Sequence, residues 1–264
     1  MQDHKDTNQI LHYFKFGVNA FFDSFNQTTL VVVSITLPIT IVAFSIQPDL
    51  KSIFRDIPDF SLFLALKWLF SQVILRAASV FIFILVILRL ELQRKGEEIF
   101  WDFSLSFNCL KKVILVDFVF SFGLQIFLAL VLFFINVLLV SFLGNNVFTV
   151  LLAFSLCIFA AVVLFIRFYF CTFYVLLKQT NLKNSFQQAT LLSKNSEIKI
   201  FKLVVIYHIF TIFLSFLLFS IIGSSFFSKI IVHNLISVLF VPYCYAGYSL
   251  FFDLLEEKFE VTKD

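Results

Sequence analysis

The chain has 264 residues, 60% of them hydrophobic and 14% charged, with a mean hydropathy of +0.97 and a formal net charge of +3. Soluble domains are about half apolar and about a quarter charged, so a water-soluble core is excluded for this much hydrocarbon surface and the bilayer is the expected solvent. The small net charge also excludes nucleic acid as an expected partner.

The first segment, "QILHYFKFGVNAFFDSFNQ" at 9–27, places Ile10, Tyr13 or Phe14, Gly17 or Val18, and Phe21 three or four residues apart. That spacing predicts an amphipathic helix lying in the membrane interface over 9–25. Its mixed charges, Asp3, Asp6 and Asp23, make a poor signal-peptide leader. No charge occurs from Ser24 to Pro48, which predicts a span over about 28–46. The next apolar run gives a span over about 68–88, with Arg76 inside it. Ile99, Phe103, Phe107 and Leu110 share one face of a second interfacial helix over 97–112, with Trp101 as an interface anchor.

Phe118 to Ile166 contains no Asp, Glu, Lys or Arg and exceeds the roughly 20 residues that cross the hydrocarbon once. "LGNN" at 143–146 tolerates a tight turn and divides the run into spans over about 116–142 and 147–172. A third interfacial helix follows over 181–195. Thr180 and Asn181 can cap its start. Leu182, Phe186, Ala189 and Leu192 or Ser193 line one face, and Lys183, Gln187, Lys194 and Asn195 take the wetter side. The last two spans are expected over about 203–222 and 230–252, separated by the turn "GSSFFSK". The fold class is all-α. A single integral membrane domain, 1–264, carries six transmembrane helices in three hairpins, with an interfacial amphipathic helix before each hairpin. Helices satisfy the backbone within one segment in lipid, and strand-like alternation is absent.

The basic residues sort by side. One side holds Lys5, Lys15, Arg89, Arg94, Lys95, Lys111, Lys112, Arg167, Lys178, Lys183, Lys194, Lys199, Lys202, Lys258 and Lys263. The other holds only Lys51, Arg55, Lys67 and Lys229. The positive-inside rule then puts both termini in the cytoplasm.

Arg76 is the strongest intramembrane candidate. With Trp68 at the outer boundary it lies about 12 Å deep, at about 1.5 Å per residue. A charge there costs at least a few kcal/mol and needs a partner or water. Asn136 is expected at similar depth and Gln125 farther inward, so the three read as a polar pocket for a lipid phosphate or another anion. The competing reading is snorkelling to the interface, or a structural Arg–Asn contact. Lys183, Lys194, Lys199, Lys111 and Lys112 are the candidate contacts to anionic headgroups. Cys109, Cys157, Cys171 and Cys244 have no paired spacing and read as small buried hydrophobes. His208 and His233 read as packing histidines. Pro38 and Pro242 read as mid-span kinks, and the tyrosines of "YCYAGY" at 243–248 as an aromatic belt. No Gly-rich phosphate loop, HExxH, GxSxG or paired-carboxylate site is present, so no catalytic residue, metal or cofactor is expected.

"NSFQQATLLSKNSEIKIFKLVVIYHIF" at 184–210 resembles the Ser-x-x-x-x-x-x-Leu-[Ser/Thr] segment, with its following span, of the YciC-type bacterial inner-membrane proteins. It is also similar to the membrane domain fused to some glycerophosphodiester phosphodiesterases. Ser185, Leu192 and Ser193 match the motif, and the likeness extends to "FFDSFNQTTLVVVSITLPITIVAF" and to the total length. Many members carry Arg before the Leu, where this chain has Leu191. The resemblance implies a multi-pass protein of the Gram-negative inner membrane, and by analogy the handling of lipid headgroups.

The expectation is therefore a non-enzymatic bacterial inner-membrane protein in envelope or lipid homeostasis. Its expected partners are membrane lipids with anionic headgroups. Two alternatives stand beside it: a small transporter or channel using the polar site around Arg76, and a membrane scaffold subunit that docks another protein.

Overall fold

The computed structural model describes residues 2–48, 62–97, 101–119, 141, 147–223 and 225–261, and every regular element among them is a helix. In chain order these are α1 (Gln2–Asp23), α2 (Phe25–Ile46), α3 (Leu62–Lys95), α4 (103–119), α5 (Val147–Phe168), α6 (Cys171–Leu177), α7 (Leu182–Ser193), α8 (Glu197–Ile222) and α9 (Phe226–Val261). Among the described residues, four helices are long and apolar enough to cross a membrane: Phe25–Ile46, Leu66–Lys95, Glu197–Ile222 and Phe226–Lys258. They fall on the expected spans at 28–46, 68–88, 203–222 and 230–252. The expected span at 147–172 is helical as far as Phe168. Most of the span at 116–142, including Gln125 and Asn136, lies outside the described residues.

Two of these helices are longer than the sequence reading gave them. At about 1.5 Å per residue, the 34 residues of α3 and the 36 of α9 each exceed the roughly 30 Å of hydrocarbon. Charge alone marked the expected ends, and a helix continues past a charge wherever water or headgroups solvate it. Around 112–116 the sequence reading changes from an interfacial helix to a span, but α4 passes through those positions without a break.

Local chemistry sets the helix ends. Gly96, at φ 70°, closes α3 with two turn bonds: its own N–H donates to Gln93 O at 3.2 Å and the Glu97 N–H to Leu92 O at 3.0 Å. That pattern needs a left-handed residue, which glycine adopts without a Cβ penalty. Asn181 starts α7 as expected, its side-chain oxygen accepting from the Asn184 N–H at 2.9 Å. Ser225 starts α9 by accepting from the Ser228 N–H at 3.2 Å.

The helices gather into two compact units. One comprises Met1–Leu110 with Leu203–Leu250, the other Lys111–Lys202 with Phe251–Asp264. In the first unit α2 packs on α3 and α1 on α2. Ile82, Ile84, Leu85, Val86 and Ile87 are buried in succession, as in a helix enclosed on all sides. Tyr13, Gly17 and Phe21 form the buried stripe of α1, while Leu11, Phe16 and Phe22 stay exposed. Gly17 permits a close approach: a Cβ there would stand 2.4 Å from Pro242 O and 3.3 Å from Ala246 N. Between α2 and α9, Asn234 Nδ2 donates to Thr40 Oγ1 at 3.1 Å and to Ile230 O at 2.8 Å. The Thr36 hydroxyl bonds Asn234 Oδ1, and all three side chains are buried.

In the second unit Phe251 is fully buried and meets Phe170, Phe173 and Tyr174 at ring distances of 5.5, 5.4 and 5.2 Å. Helix α7 packs on α5 and α6 through Ser185, Ala189, Leu192 and Ser193.

The Gly17 contact generates a test. Gly17→Val places a side chain against the Pro242 carbonyl and costs about 1–3 kcal/mol by overpacking. The detergent-solubilised melting temperature should fall by several degrees, while Val18→Ala on the exposed face leaves it unchanged. An unshifted melt for Gly17→Val would show that α1 does not pack closely on α9.

Candidate functional site

The polar residues of the first unit concentrate where α3 ends, at the level of Gln27 and Thr28 in α2 and Tyr248 in α9. Arg89 follows the buried Ile82–Ile87 segment of α3. Its Nη1 donates to Thr28 Oγ1 at 3.2 Å, and its Nη2 reaches Gln27 Oε1 at 3.5 Å, a weak contact. Ser24 Oγ lies 3.0 Å from the same Thr28 hydroxyl. Beyond the Gly96 turn, Trp101 comes back over α3, with the Arg89 guanidinium carbon 4.4 Å from its ring centroid. Such a cation–π contact contributes about 0.5–2 kcal/mol, more as it is desolvated. Among the described residues Arg89 forms no ion pair. Its contacts are two neutral oxygens and an aromatic face.

Two residues on, Glu91 is fully engaged. Arg94 donates to its two carboxylate oxygens at 2.7 and 3.1 Å, Lys95 lies at 3.6 Å, and the Tyr248 hydroxyl donates at 2.7 Å. The Glu91 side chain is 15% exposed. Charge-assisted bonds of this kind are shorter and stronger than neutral ones. Tyr248 therefore ties α9 to α3 through a carboxylate that Arg94 and Lys95 already share, and Arg89 adds a further positive charge at this end that Glu91 does not reach.

The residues singled out in the sequence have different fates. Arg76 lies on an exposed face of α3 rather than in a closed interior. Its expected neighbours Gln125 and Asn136 lie outside the described residues. Ser185, Leu192 and Ser193 are all buried. Ser185 Oγ donates to Leu182 O at 2.7 Å and sits 3.2 Å from Cys171 Sγ, and Ser193 Oγ donates to Arg167 O at 3.1 Å. These motif residues seat α7 on its unit, and none of them presents a polar atom to a headgroup. Lys111, Lys112, Lys183 and Lys194 are exposed. Lys199 is bound to Glu257 at 3.0 Å, so it is not free in the way the sequence reading expected. Arg167 pairs with Glu197 at 3.3 Å. Tyr243, Tyr245 and Tyr248 are buried packing residues rather than a belt. Among the described residues, no three His, Cys, Asp or Glu side chains gather as a metal site would require.

Arg89 and Trp101 were visible in the sequence as a loop cation and an interface anchor, but not as partners. No periodicity links residues twelve apart across a glycine turn. Comparisons with protein families, curated proteins and solved structures find no match.

The Tyr248–Glu91 bond is testable. Tyr248→Phe removes one hydrogen bond to a charged acceptor, worth about 1.5–3 kcal/mol. The melting temperature should drop, while Glu91→Gln combined with Tyr248→Phe should cost little more than Glu91→Gln alone, which already loses the Tyr248 bond with those to Arg94 and Lys95. Strict additivity would show that the two side chains do not interact.

Proposed function

We propose that this chain is a six-span bacterial inner-membrane protein with cytoplasmic termini that binds the phosphate of anionic phospholipids at its cytoplasmic end and catalyses no reaction. In this reading it serves envelope or lipid homeostasis as a lipid-engaging component, as the resemblance to YciC-type proteins implies. The observation that carries the proposal is Arg89, a half-buried guanidinium stacked on Trp101 and bonded only to neutral oxygens among the described residues. Neutral acceptors hold the side chain in place but do not compensate its charge, so a phosphate oxygen gains the full electrostatic attraction. Trp at the headgroup level is the usual anchor of such a site. The exposed Lys111, Lys112, Lys183 and Lys194 add attraction to an anionic leaflet, worth about 1 kcal/mol each near the surface. The same positions explain the placement of basic residues on one side of the predicted spans.

Native mass spectrometry of the gently extracted protein tests the reading. The wild type should retain phosphatidylglycerol in preference to phosphatidylcholine, and Arg89→Ala should lower that retention about tenfold, the equivalent of about 1.4 kcal/mol. Arg89→Lys should recover part of it, because a lysine keeps the charge and loses the planar stack. Equal retention of both lipids, or no change in Arg89→Ala, would refute an anion site there.

A further inference from the structure

At the other end of α2, a half-open cavity of about 340 Å³ lies among the last turn of α2, the second half of α8 and the first turns of α9. From Gln27 to Gln47 the helix rises about 30 Å, so this cavity is separate from the Arg89 site. Its walls are more apolar than polar, with Phe44, Phe219 and Ile236 contributing. Its polar residues include Gln47, Lys229 and His233. Lys229 and His233 are four apart on α9 and therefore share one face. Lys229 is exposed and, among the described residues, forms no ion pair. The His233 ring stands edge-on to Phe44, with centroids 5.9 Å apart. Its Nε2 is shut away from solvent and, among the described residues, has no hydrogen-bond partner.

A buried imidazole nitrogen without a partner is costly, whereas apolar packing alone needs no imidazole. The cavity falls within the size range of small-molecule sites and shows their usual make-up, mostly apolar with a few polar groups. One cation matches one negative charge. A carboxylate carries one, whereas a phosphate monoester carries about 1.5 to 2 at neutral pH. No second cation lines the cavity among the described residues. The aromatic wall needs an apolar tail, and beside the cavity α8 exposes Phe216 and Leu217, so a tail leaving it meets hydrocarbon rather than water.

We propose that this cavity binds a fatty-acid-like amphiphile, its carboxylate held by Lys229 with hydrogen-bonding support from His233 and Gln47, and its tail against Phe44, Phe219 and Ile236. This site is independent of the phospholipid reading and can stand if that reading fails.

The test uses the full chain in phosphatidylcholine nanodiscs and labelled dodecanoate. Binding should saturate above the level of empty discs. Lys229→Ala and His233→Leu should each weaken it about tenfold, whereas Val18→Ala, on the exposed face of α1, should leave it unchanged. Lys229 is exposed, so its loss reports on the ligand even if His233→Leu impairs folding. Unlabelled dodecanoate should compete, while acetate and dodecanol should not. Binding no greater than in empty discs, full binding in Lys229→Ala, or competition by acetate at the dodecanoate concentration would overturn the proposal. Stronger competition by dodecyl phosphate than by dodecanoate would overturn the choice of a carboxylate.

Discussion

Hydrocarbon offers no hydrogen-bond partner, and that one constraint orders the polar groups of this molecule. Many hydroxyls along the apolar helices turn back to their own backbone, although Thr29 Oγ1 and Ser71 Oγ are buried without a partner among the described residues. Thr36 bonds Val32 O, Ser45 bonds Ile41 O, Ser79 bonds Leu75 O, Ser215 bonds Thr211 O and Ser220 bonds Phe216 O. Where two helices meet, the same need becomes a link between them. Asn234 spends one amide hydrogen on its own backbone at Ile230 O and meets the rest of its amide's needs by reaching from α9 to Thr36 and Thr40 of α2. Such contacts contribute about 0.6 kcal/mol on average in membrane bundles. Their value here lies in fixing the register of α2 against α9, since a slip of one residue would strand an amide in an apolar contact.

Ion pairs follow the complementary rule and gather at helix ends. Glu91 with Arg94, Lys95 and Tyr248 closes one end of the first unit, while in the second unit Glu257 binds Lys199 and Glu197 binds Arg167. Lys258 adds a bond to Leu191 O. Against this background of neutralised pairs, Arg89 differs in having, among the described residues, neutral oxygens and a tryptophan face instead of a carboxylate. The Glu91 network supports it indirectly by holding α3 and α9 together two residues farther along α3.

Much of the fold was legible because hydropathy and spacing respond to local physics. The buried stripe Tyr13, Gly17 and Phe21 follows the 3.6-residue period, and Asn181 caps α7 by the usual side-chain acceptance. The site was less legible, because it depends on contacts far apart in sequence. Tyr248 reads as a belt tyrosine until Glu91, 157 positions earlier, is placed beside it. Ser193 reads as one option for the apolar face and Ser185 only as a motif match, and neither reading gives the bonds to Arg167 O and Leu182 O that hold them in the buried seam. His233 reads as a packing histidine, and its Nε2, without a partner among the described residues, comes into view only once the fold encloses it.

The central claim is that α8 crosses lipid with its lysine-rich start on the cytoplasmic side. Cysteine labelling in intact cells tests it, with the four native cysteines replaced by alanine and one cysteine introduced at Asn184 or at Ser225. A membrane-impermeant maleimide should label Ser225→Cys, and should label Asn184→Cys only after the cells are opened. Labelling of Asn184→Cys in intact cells, with Ser225→Cys protected, would reverse the orientation, and labelling of both from outside would contradict a crossing at α8.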